Sequence, residues 1–280
     1  MSNPLALLDV PWVAARAVAK RLLRGEAPEL DGPGDPELPL FELRANWALR
    51  ALAEGTIEEA TRRFLRALER AASARLGAYS RSQRIANFVY IARRLEGGRG
   101  SAERELVLPT LHADAAYLRT HAEFRLNTPW FNNHLLNNYR AAVLYQAHFA
   151  ATPGGVDLRE FIDRVGRIID RHAATLFGTG RSLLEGSVSY EMLGAKHLAE
   201  IAFCDRSGPL GPFARACALD YRARAAALYR KDGTWLIPEI GDLSPDWDRP
   251  TILLFLDAFV LERRNVYWEI WQRELAALGF

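Results

Sequence analysis

The sequence predicts an all-α protein built as an (α/α) toroid, an incomplete α/α barrel of about ten to twelve helices. First, apolar residues recur at intervals of three and four from Leu40 onward, as in FELRANWALRALAEG. Second, no stretch shows the alternating pattern of a convincing strand. Third, helices of this length joined by short loops could form a bundle, a solenoid of helix pairs or a closed toroid, and we find no repeat of roughly 30–45 residues, which a solenoid should show, so the closed toroid gains weight.

The N-terminal segment differs from the rest of the chain. Residues 13–23 space their apolar side chains like an amphipathic helix, and residues 26–39 then contain four prolines in fourteen residues. This second stretch is predicted to be a linker or a wrapped loop. We therefore expect an N-terminal helix with a Pro-rich linker over residues 1–39 and a toroid domain over residues 40–280.

Short signals mark the predicted helix boundaries. A side chain that accepts from the first free amides marks the start of a helix, and glycine or proline marks a break. Capping boxes are predicted for Thr56 with Glu59, Ser80 with Gln83, and Asp157 with Glu160. Breaks are predicted at residues 97–100, 153–155, 207–212 and 241–250.

Composition excludes several classes of protein. Apolar residues make up 49% of the 280 residues, which suits a folded globule rather than a disordered chain. A formal net charge of +2 is too small for a long-range footprint on a phosphate backbone, so we expect no nucleic-acid partner. No window reaches the roughly 18 uncharged apolar residues of a membrane span.

The sequence also lacks the usual signals for secretion and for metal or cofactor binding. The N-terminus does not have the pattern of a signal peptide, so we expect a cytoplasmic protein, or a periplasmic one if a leader has been trimmed. Cys204 and Cys217 have no ligand spacing and are expected to be buried free thiols. The six histidines are scattered and no nucleotide-binding fingerprint is present, so we expect no metal and no cofactor.

The segment TPWFNNHLLNNY, residues 128–139, places four asparagines and a histidine within seven residues. If it starts a helix, Asn133 and Asn137 share a face, because residues four apart stack. Asparagine is a poor helix former, so this density favours a functional interpretation. Two of the asparagines can instead cap the helix, with His134 a hydrogen-bonded core residue. Together with Trp130, the convergent amides form a surface that suits a sugar ring.

Three further segments carry polar groups, although each also has an ordinary structural interpretation as a helix start, a connecting loop or a capped surface helix. LLEGSVSYEMLG places Glu185 and Tyr190 at the start of a predicted helix. KDGTWLIPEIGD is an irregular loop that contains Glu239 and Asp242. YSRSQRIANF places Arg84 and Asn87 on one turn.

Together and in this order, these segments resemble the N-terminal α/α-toroid domain of the heparinase II/III-like polysaccharide lyases, a family that includes alginate and oligoalginate lyases. The resemblance covers roughly residues 40–246. It rests on YSRSQRIANF, LRTHAEFRLNTPWFNNHLLNNYRAAVLY, LLEGSVSYEMLG and KDGTWLIPEIGD. Family members usually continue into a β-sandwich domain, which we expect this chain to lack, and many have a histidine where this chain has Glu191.

The resemblance implies β-elimination on an acidic, uronate-containing polysaccharide. It assigns Asn133 to neutralising the uronate carboxylate, His134 to removing the C5 proton, and Tyr190 to acid or base action at the glycosidic oxygen. Hydrogen bonds that stabilise the enolate-like charge make such a proton acidic enough to remove. The sequence leaves open whether elimination is syn, with Tyr190 in both roles, or anti. The predicted substrate-binding residues are Arg84, Asn87, Trp130, Asn132, Asn137, Glu185 and Asp242.

Two other functions stay open at the level of sequence. One is a catalytically incomplete protein that binds glycan or serves as a partner subunit in envelope polysaccharide assembly. The other is a glycoside hydrolase on the same toroid, with paired carboxylates drawn from Glu185, Glu239 and Asp242. The expected partners are an acidic polysaccharide or oligosaccharide, and either a separate β-sandwich protein or further copies of this chain.

Overall fold

The described part of the chain consists of α-helices and their connections. The computed structural model describes residues 77–94, 101–123, 133–177, 188–228, 256–257 and 260–261. No strand occurs in these ranges, which confirms the all-α class for this part of the protein. Its helices are α1 (Ala78–Arg94), α2 (Ser101–His121), α3 (Asn133–His148), α4 (Arg159–Phe177), α5 (Val188–Cys204) and α6 (Gly211–Leu228).

Helices α1 and α2 form an antiparallel pair. Tyr79 near the start of α1 meets Glu123 just beyond the end of α2, whereas Arg84 farther along α1 meets Asp114 earlier on α2. Contact positions therefore rise along one helix as they fall along the other. Helix α4 packs against α3, and α6 packs against α5.

Helices α1 and α3 lie side by side and run parallel. The side chain of Asn137 contacts the backbone of Tyr79, and the side chain of Arg140 contacts Gln83, so positions rise together along both helices. Helix α3 also packs against α5, which places it between α1 and α5. The odd-numbered helices therefore form a row, and an even-numbered helix packs against each of them.

Helix α3 lies at the centre of this arrangement. Twelve of its sixteen residues are buried, and it contacts α1, α2, α4 and α5. A helix enclosed in this way has no wide solvent face, so its polar side chains must find partners inside the protein. Among the residues of α3 in the hydrophobic core, Leu136, Tyr139 and Leu144 are fully buried.

Helix α4 shows the opposite pattern and is amphipathic. Phe161, Val165 and Ile169 recur at intervals of four and are buried, each contributing roughly 1.5–3 kcal/mol of burial free energy. The remaining face is charged and exposed, which places α4 at the surface. Its exposed residues are Arg159, Glu160, Asp163, Arg164, Arg167, Asp170 and Arg171.

Buried polar side chains concentrate on the odd-numbered helices. Among the described residues, α2 contributes Asp114 to this group and the C-terminal region contributes Asp257, while α4 and α6 contribute none. The row of α1, α3 and α5 therefore contains a polar interior that the packing of apolar helices does not require. Its buried polar residues are Ser80, Ser82, Gln83, Arg84, Asn133, Asn137, Asn138, Arg140, Lys196, His197 and Glu200.

Several predicted boundaries can be compared with these helices. The breaks at 153–155 and 207–212 fall between helices, as predicted, whereas the break at 97–100 lies outside the described residues. Asp157 does cap α4, with Oδ1 3.0 Å from the amide nitrogen of Arg159, and the reciprocal contact from Glu160 stays a prediction. The predicted cap at Ser80 is wrong, because α1 already begins at Ala78 and the carbonyl of Gly77 accepts its first backbone hydrogen bond.

Other predictions fall partly or wholly outside the described residues. The pair Thr56 and Glu59, the break at 241–250 and the unit of residues 1–39 lie there. Both cysteines are described and free, as predicted, with Cys217 buried and Cys204 half-buried. Within the described ranges, no helix is long and apolar enough to cross a membrane.

Candidate functional site

The first turn of α3 contains a histidine that is both hydrogen-bonded and stacked. Nδ1 of His134 lies 2.6 Å from Oε2 of Glu123, and its ring centroid lies 4.3 Å from that of Tyr79. The side chain of His134 is 38% exposed and that of Glu123 is 30% exposed. An ionised carboxylate only accepts hydrogen bonds, so Nδ1 holds the proton and, in the neutral ring, Nε2 is left as an acceptor.

Glu123 is held in place by contacts on both its side chain and its backbone. Its second carboxylate oxygen, Oε1, accepts from the backbone N–H of Tyr79 at 3.3 Å. This N–H belongs to the first turn of α1, where unpaired amides and the helix dipole favour a negative charge. The backbone N–H of Glu123 donates to Oδ1 of Asn138 at 2.9 Å, and Nδ2 of Asn138 donates to Oγ of Ser82 at 2.9 Å. Glu123 therefore joins α1 to α3.

The buried face of α3 contains a network of charged and amide side chains. Arg140 forms a two-point pair with Glu200 of α5, with Nε directed at Oε2 and Nη2 3.0 Å from Oε1. Nη1 of Arg140 donates to Oδ1 of Asn137 at 3.1 Å and to Oε1 of Gln83 at 3.4 Å. Nδ2 of Asn137 donates to a backbone oxygen of α1 at 3.3 Å. The network thus connects α1, α3 and α5.

Arg84 forms a buried ion pair with Asp114. Its Nε and Nη2 lie 2.5 Å and 2.7 Å from the two carboxylate oxygens of Asp114, a bidentate geometry. Arg81 shares this carboxylate, with Nη1 2.6 Å from Oδ1. The side chains of Arg84 and Asp114 are 2% and 0% exposed. In the described structure, Arg84 therefore fastens α2 to α1.

A second stacked histidine lies at the end of α2. The ring of His121 is nearly parallel to that of Tyr117, with centroids 4.1 Å apart, and the guanidinium carbon of Arg81 lies 4.3 Å from the centroid of Tyr117. Nδ1 of His121 lies 2.8 Å from Oγ1 of Thr120. Among the described residues His121 contacts no carboxylate, so it resembles His134 in its stacking but not in its charge pairing.

Asn133 and His134 are the first two residues of α3, and Asn133 is 7% exposed. Tyr190 lies in the first turn of α5, and Asn87 lies in α1. The roles predicted for these four residues stay predictions. Trp130, Asn132, Glu185 and Asp242 lie outside the described residues.

Arg84 and Asn137 were predicted to bind substrate, and the structure places both in the interior. Arg84 holds Asp114, and Asn137 bridges Arg140 to the backbone of α1. These contacts use Nε and Nη2 of Arg84 and the side-chain amide of Asn137. The described geometry therefore gives both residues a structural task, and direct contact with substrate stays a prediction.

Glu123, Arg140 and Glu200 are the described members of the site that sequence reasoning missed. Glu123 lies eleven residues before His134, across a connection, and Arg140 lies sixty residues before Glu200. The two residues of each pair belong to different segments of the chain, so neither pair stands out in the sequence. For Arg140, the available signal was its charge, because it lies in a helix that is otherwise apolar and rich in asparagine.

Two residues near the start and the end of α5 also have defined surroundings. Burial raises the pKa of the Cys204 thiol, with the charge of Glu200 as a further cause, so this thiol is a poor nucleophile. Glu191, where many of the resembling lyases have a histidine, is paired with Arg224, with Oε1 2.9 Å from Nη2. Glu191 therefore helps to join α5 to α6.

Comparisons with family models, with curated proteins and with solved structures gave no match for this chain. Within the described ranges, no three His, Cys, Asp or Glu side chains form a group that could hold a metal ion.

Proposed function

We propose that this protein is a β-eliminating polysaccharide lyase, or a relative with the same site, acting on an acidic polysaccharide or oligosaccharide that contains uronate. The observation that supports this best is the pair of His134 and Glu123 at the start of α3. It leaves Nε2 of a partly exposed imidazole as a proton acceptor, on the residue that follows Asn133 in the first turn of α3. A positioned imidazole of this kind is the usual general base at neutral pH.

The proposed reaction is a single elimination. Nε2 of His134 takes the C5 proton of the uronate, the electron pair of that C–H bond forms the C4–C5 double bond, and the bond from C4 to the glycosidic oxygen breaks. Tyr190 gives a proton to the departing oxygen. The amide of Asn133 donates to the uronate carboxylate, where negative charge increases as the C5 proton leaves.

The arrangement of the described helices supports the proposed toroid. In an (α/α) toroid, successive helices alternate between an inner ring and an outer ring. The row of α1, α3 and α5, with its buried polar side chains, corresponds to the inner ring, and the amphipathic α4 corresponds to the outer ring. We propose that about ten to twelve helices complete it. A separate β-sandwich protein or a second copy of the chain would cover the site.

The test is an elimination assay on uronate polymers with matched histidine variants. The full chain is incubated with alginate, heparinoids and bacterial exopolysaccharides, and the ultraviolet absorbance of the unsaturated uronate product is recorded. We expect His134→Ala to lower kcat on the order of 10²–10⁴-fold, because it removes the general base. His121→Ala is the control, since it removes a stacked and exposed histidine that contacts no carboxylate among the described residues.

Equal activity of the two variants, or no unsaturated product from wild-type protein on any polymer, counts against the lyase. Hydrolysis products without a double bond indicate the glycoside hydrolase instead.

A second candidate function is glycan binding without turnover, alone or as a subunit in envelope polysaccharide assembly. The observation that favours it is that Arg84 and Asn137, both predicted to bind substrate, are used in internal contacts. Calorimetry with an acidic oligosaccharide separates the two functions. Binding heat with no unsaturated product supports this second function, and measurable turnover removes it.

A further inference from the structure

We infer that Glu123 is the positioning residue of this site: it fixes the tautomer and orientation of His134 so that Nε2 faces outward without a proton. The catalytic consequence rests on the proposed lyase function. The tautomer itself does not, because it follows from the contacts of the folded chain.

Both carboxylate oxygens of Glu123 face a donor. Oε1 accepts from the backbone N–H of Tyr79 at 3.3 Å, and Oε2 accepts from Nδ1 of His134 at 2.6 Å. The amide N–H of Tyr79 cannot reverse its role, because a backbone nitrogen only donates. Glu123 must therefore present an oxygen to each neighbour, and an ionised carboxylate meets this requirement.

The contacts around this pair also fix the plane of the imidazole. Tyr79 contributes both the amide that binds Oε1 and the ring that packs against His134. The backbone of Glu123 is bound to Asn138, which is fully buried and bound to Ser82. The carboxylate and the aromatic ring are thus attached to α1 and α3 on two sides, so His134 has little freedom to rotate.

A glutamine at position 123 separates positioning from simple helix capping. Its side chain has one acceptor oxygen and one NH₂ group, which only donates. If the oxygen accepts from Tyr79, the NH₂ faces Nδ1 of His134 and favours the ring with its proton on Nε2, which cannot act as the proposed base. If the oxygen faces His134, the NH₂ opposes the amide of Tyr79 and α1 loses this contact.

The direct experiment is an NMR measurement of the histidine tautomer in the full chain labelled with ¹⁵N-histidine, near neutral pH. His134 is assigned from the spectrum of His134→Ala. In wild-type protein we expect the neutral ring of His134 to have a protonated Nδ1 and a bare Nε2. In Glu123→Gln we expect the proton to move to Nε2, or the two forms to mix. Glu160→Gln changes an exposed carboxylate of α4 and should leave the tautomer as in wild type.

The inference is overturned if wild-type His134 has its proton on Nε2, or if Glu123→Gln leaves the wild-type tautomer unchanged. The wild-type spectrum alone decides the first point, so the test does not depend on whether the variant folds.

Kinetics form the second arm of the experiment. On a uronate polymer that wild-type protein cleaves, we expect Glu123→Gln to lower kcat on the order of 100-fold with little change in KM, because a wrong tautomer disables the base without removing substrate contacts. Glu123→Asp, which keeps both acceptor oxygens, should recover part of the loss. A tautomer shift in a protein that cleaves nothing supports the positioning of His134 and rejects the lyase, so the two failures are distinguishable. An unchanged kcat in Glu123→Gln overturns the catalytic consequence.

Discussion

Arg140 and Glu200 form a buried two-point ion pair that fastens α3 to α5, with side chains 1% and 0% exposed. Removing two charges from water is unfavourable, and their mutual attraction offsets this cost only when geometry and additional hydrogen bonds are good. Asn137 and Gln83 supply such bonds on the arginine side, and Nζ of Lys196 lies 3.9 Å from Glu200. The pair therefore has additional polar contacts of the kind that offset the cost of burying two charges.

Breaking this pair from one side should destabilise the protein strongly. Glu200→Leu leaves the guanidinium of Arg140 buried without its carboxylate, and such changes cost about 3–5 kcal/mol. We expect a lower midpoint in urea unfolding followed by circular dichroism. The double variant Arg140→Met with Glu200→Leu should recover a large part of the loss, because no unpaired charge then remains in this pair.

The matched control is a surface ion pair. The side chains of Arg159 and Asp157 are 79% and 54% exposed, and Nη2 of Arg159 lies 2.5 Å from Oδ2 of Asp157. Exposed ion pairs contribute about 0–1 kcal/mol to stability. Arg159→Met should therefore move the urea midpoint little. A loss of stability in Glu200→Leu no greater than in Arg159→Met would contradict the importance assigned to the buried pair.

Within the described residues, the sequence predicted the all-α class and several helix boundaries because that information is local. Glycine and proline mark the breaks at 153–155 and 207–212, and α4 alternates buried and charged residues with the period of a helix. The capping box predicted at Ser80 was wrong, and the reason is also local. Ser80 and Gln83 match the capping-box pattern in the sequence whether or not a helix begins at Ser80. Here the helix begins at Ala78, and a carboxylate from another segment occupies its N-terminus.

The composition of the site could be predicted only in part. Asn133 and His134 stand out because polar residues cluster around them in the sequence. Glu123 does not stand out in the sequence, because its role depends on how α1, α2 and α3 pack against one another. The burial of Arg84 was equally hidden, because its partner Asp114 lies thirty residues away on another helix. Partners chosen by tertiary packing leave no spacing in the chain.

The stability of the protein should depend on pH through His112. Burial lowers the pKa of His112 below its ordinary value of 6.5. The hydroxyl oxygen of Tyr145 accepts from the backbone N–H of Val156 at 2.9 Å, and the same hydroxyl lies 2.7 Å from Nδ1 of His112, to which it donates its proton. The neutral ring is therefore the form that the folded protein favours, and it accepts the proton of the tyrosine hydroxyl.

A group with a lowered folded pKa contributes stability above its unfolded pKa, and this contribution is lost as the pH falls toward the folded pKa. We therefore expect the difference in unfolding free energy between wild type and His112→Gln to be largest above pH 6.5 and to shrink as the pH falls below that value. Urea titrations at several pH values measure it. A difference that is constant across this range, or that grows toward low pH, would contradict the assignment.

Gly154 should be required at its position in the turn between α3 and α4. Its φ of 76° lies in the left-handed region, where a residue with a Cβ loses roughly 1–2 kcal/mol. An added Cβ would lie 3.5 Å from Cδ2 of His112, which is an ordinary contact, so the expected cost comes from the backbone rather than from a clash. We therefore expect Gly154→Ala to lower the unfolding free energy by about 1–2 kcal/mol.

Asparagine provides the sharper comparison at this turn, because its side chain tolerates the left-handed region better than alanine does. Gly154→Asn should therefore be more stable than Gly154→Ala in thermal unfolding, although it is the larger residue. Gly77→Ala is the control, since Gly77 is exposed, has no positive φ, and would place a Cβ 4.0 Å from Oε1 of Glu123. If Gly154→Ala and Gly77→Ala change the melting temperature equally, the positive φ is not what the turn requires. If Gly154→Asn is less stable than Gly154→Ala, the space around His112 limits which residue this turn accepts, and the backbone conformation does not.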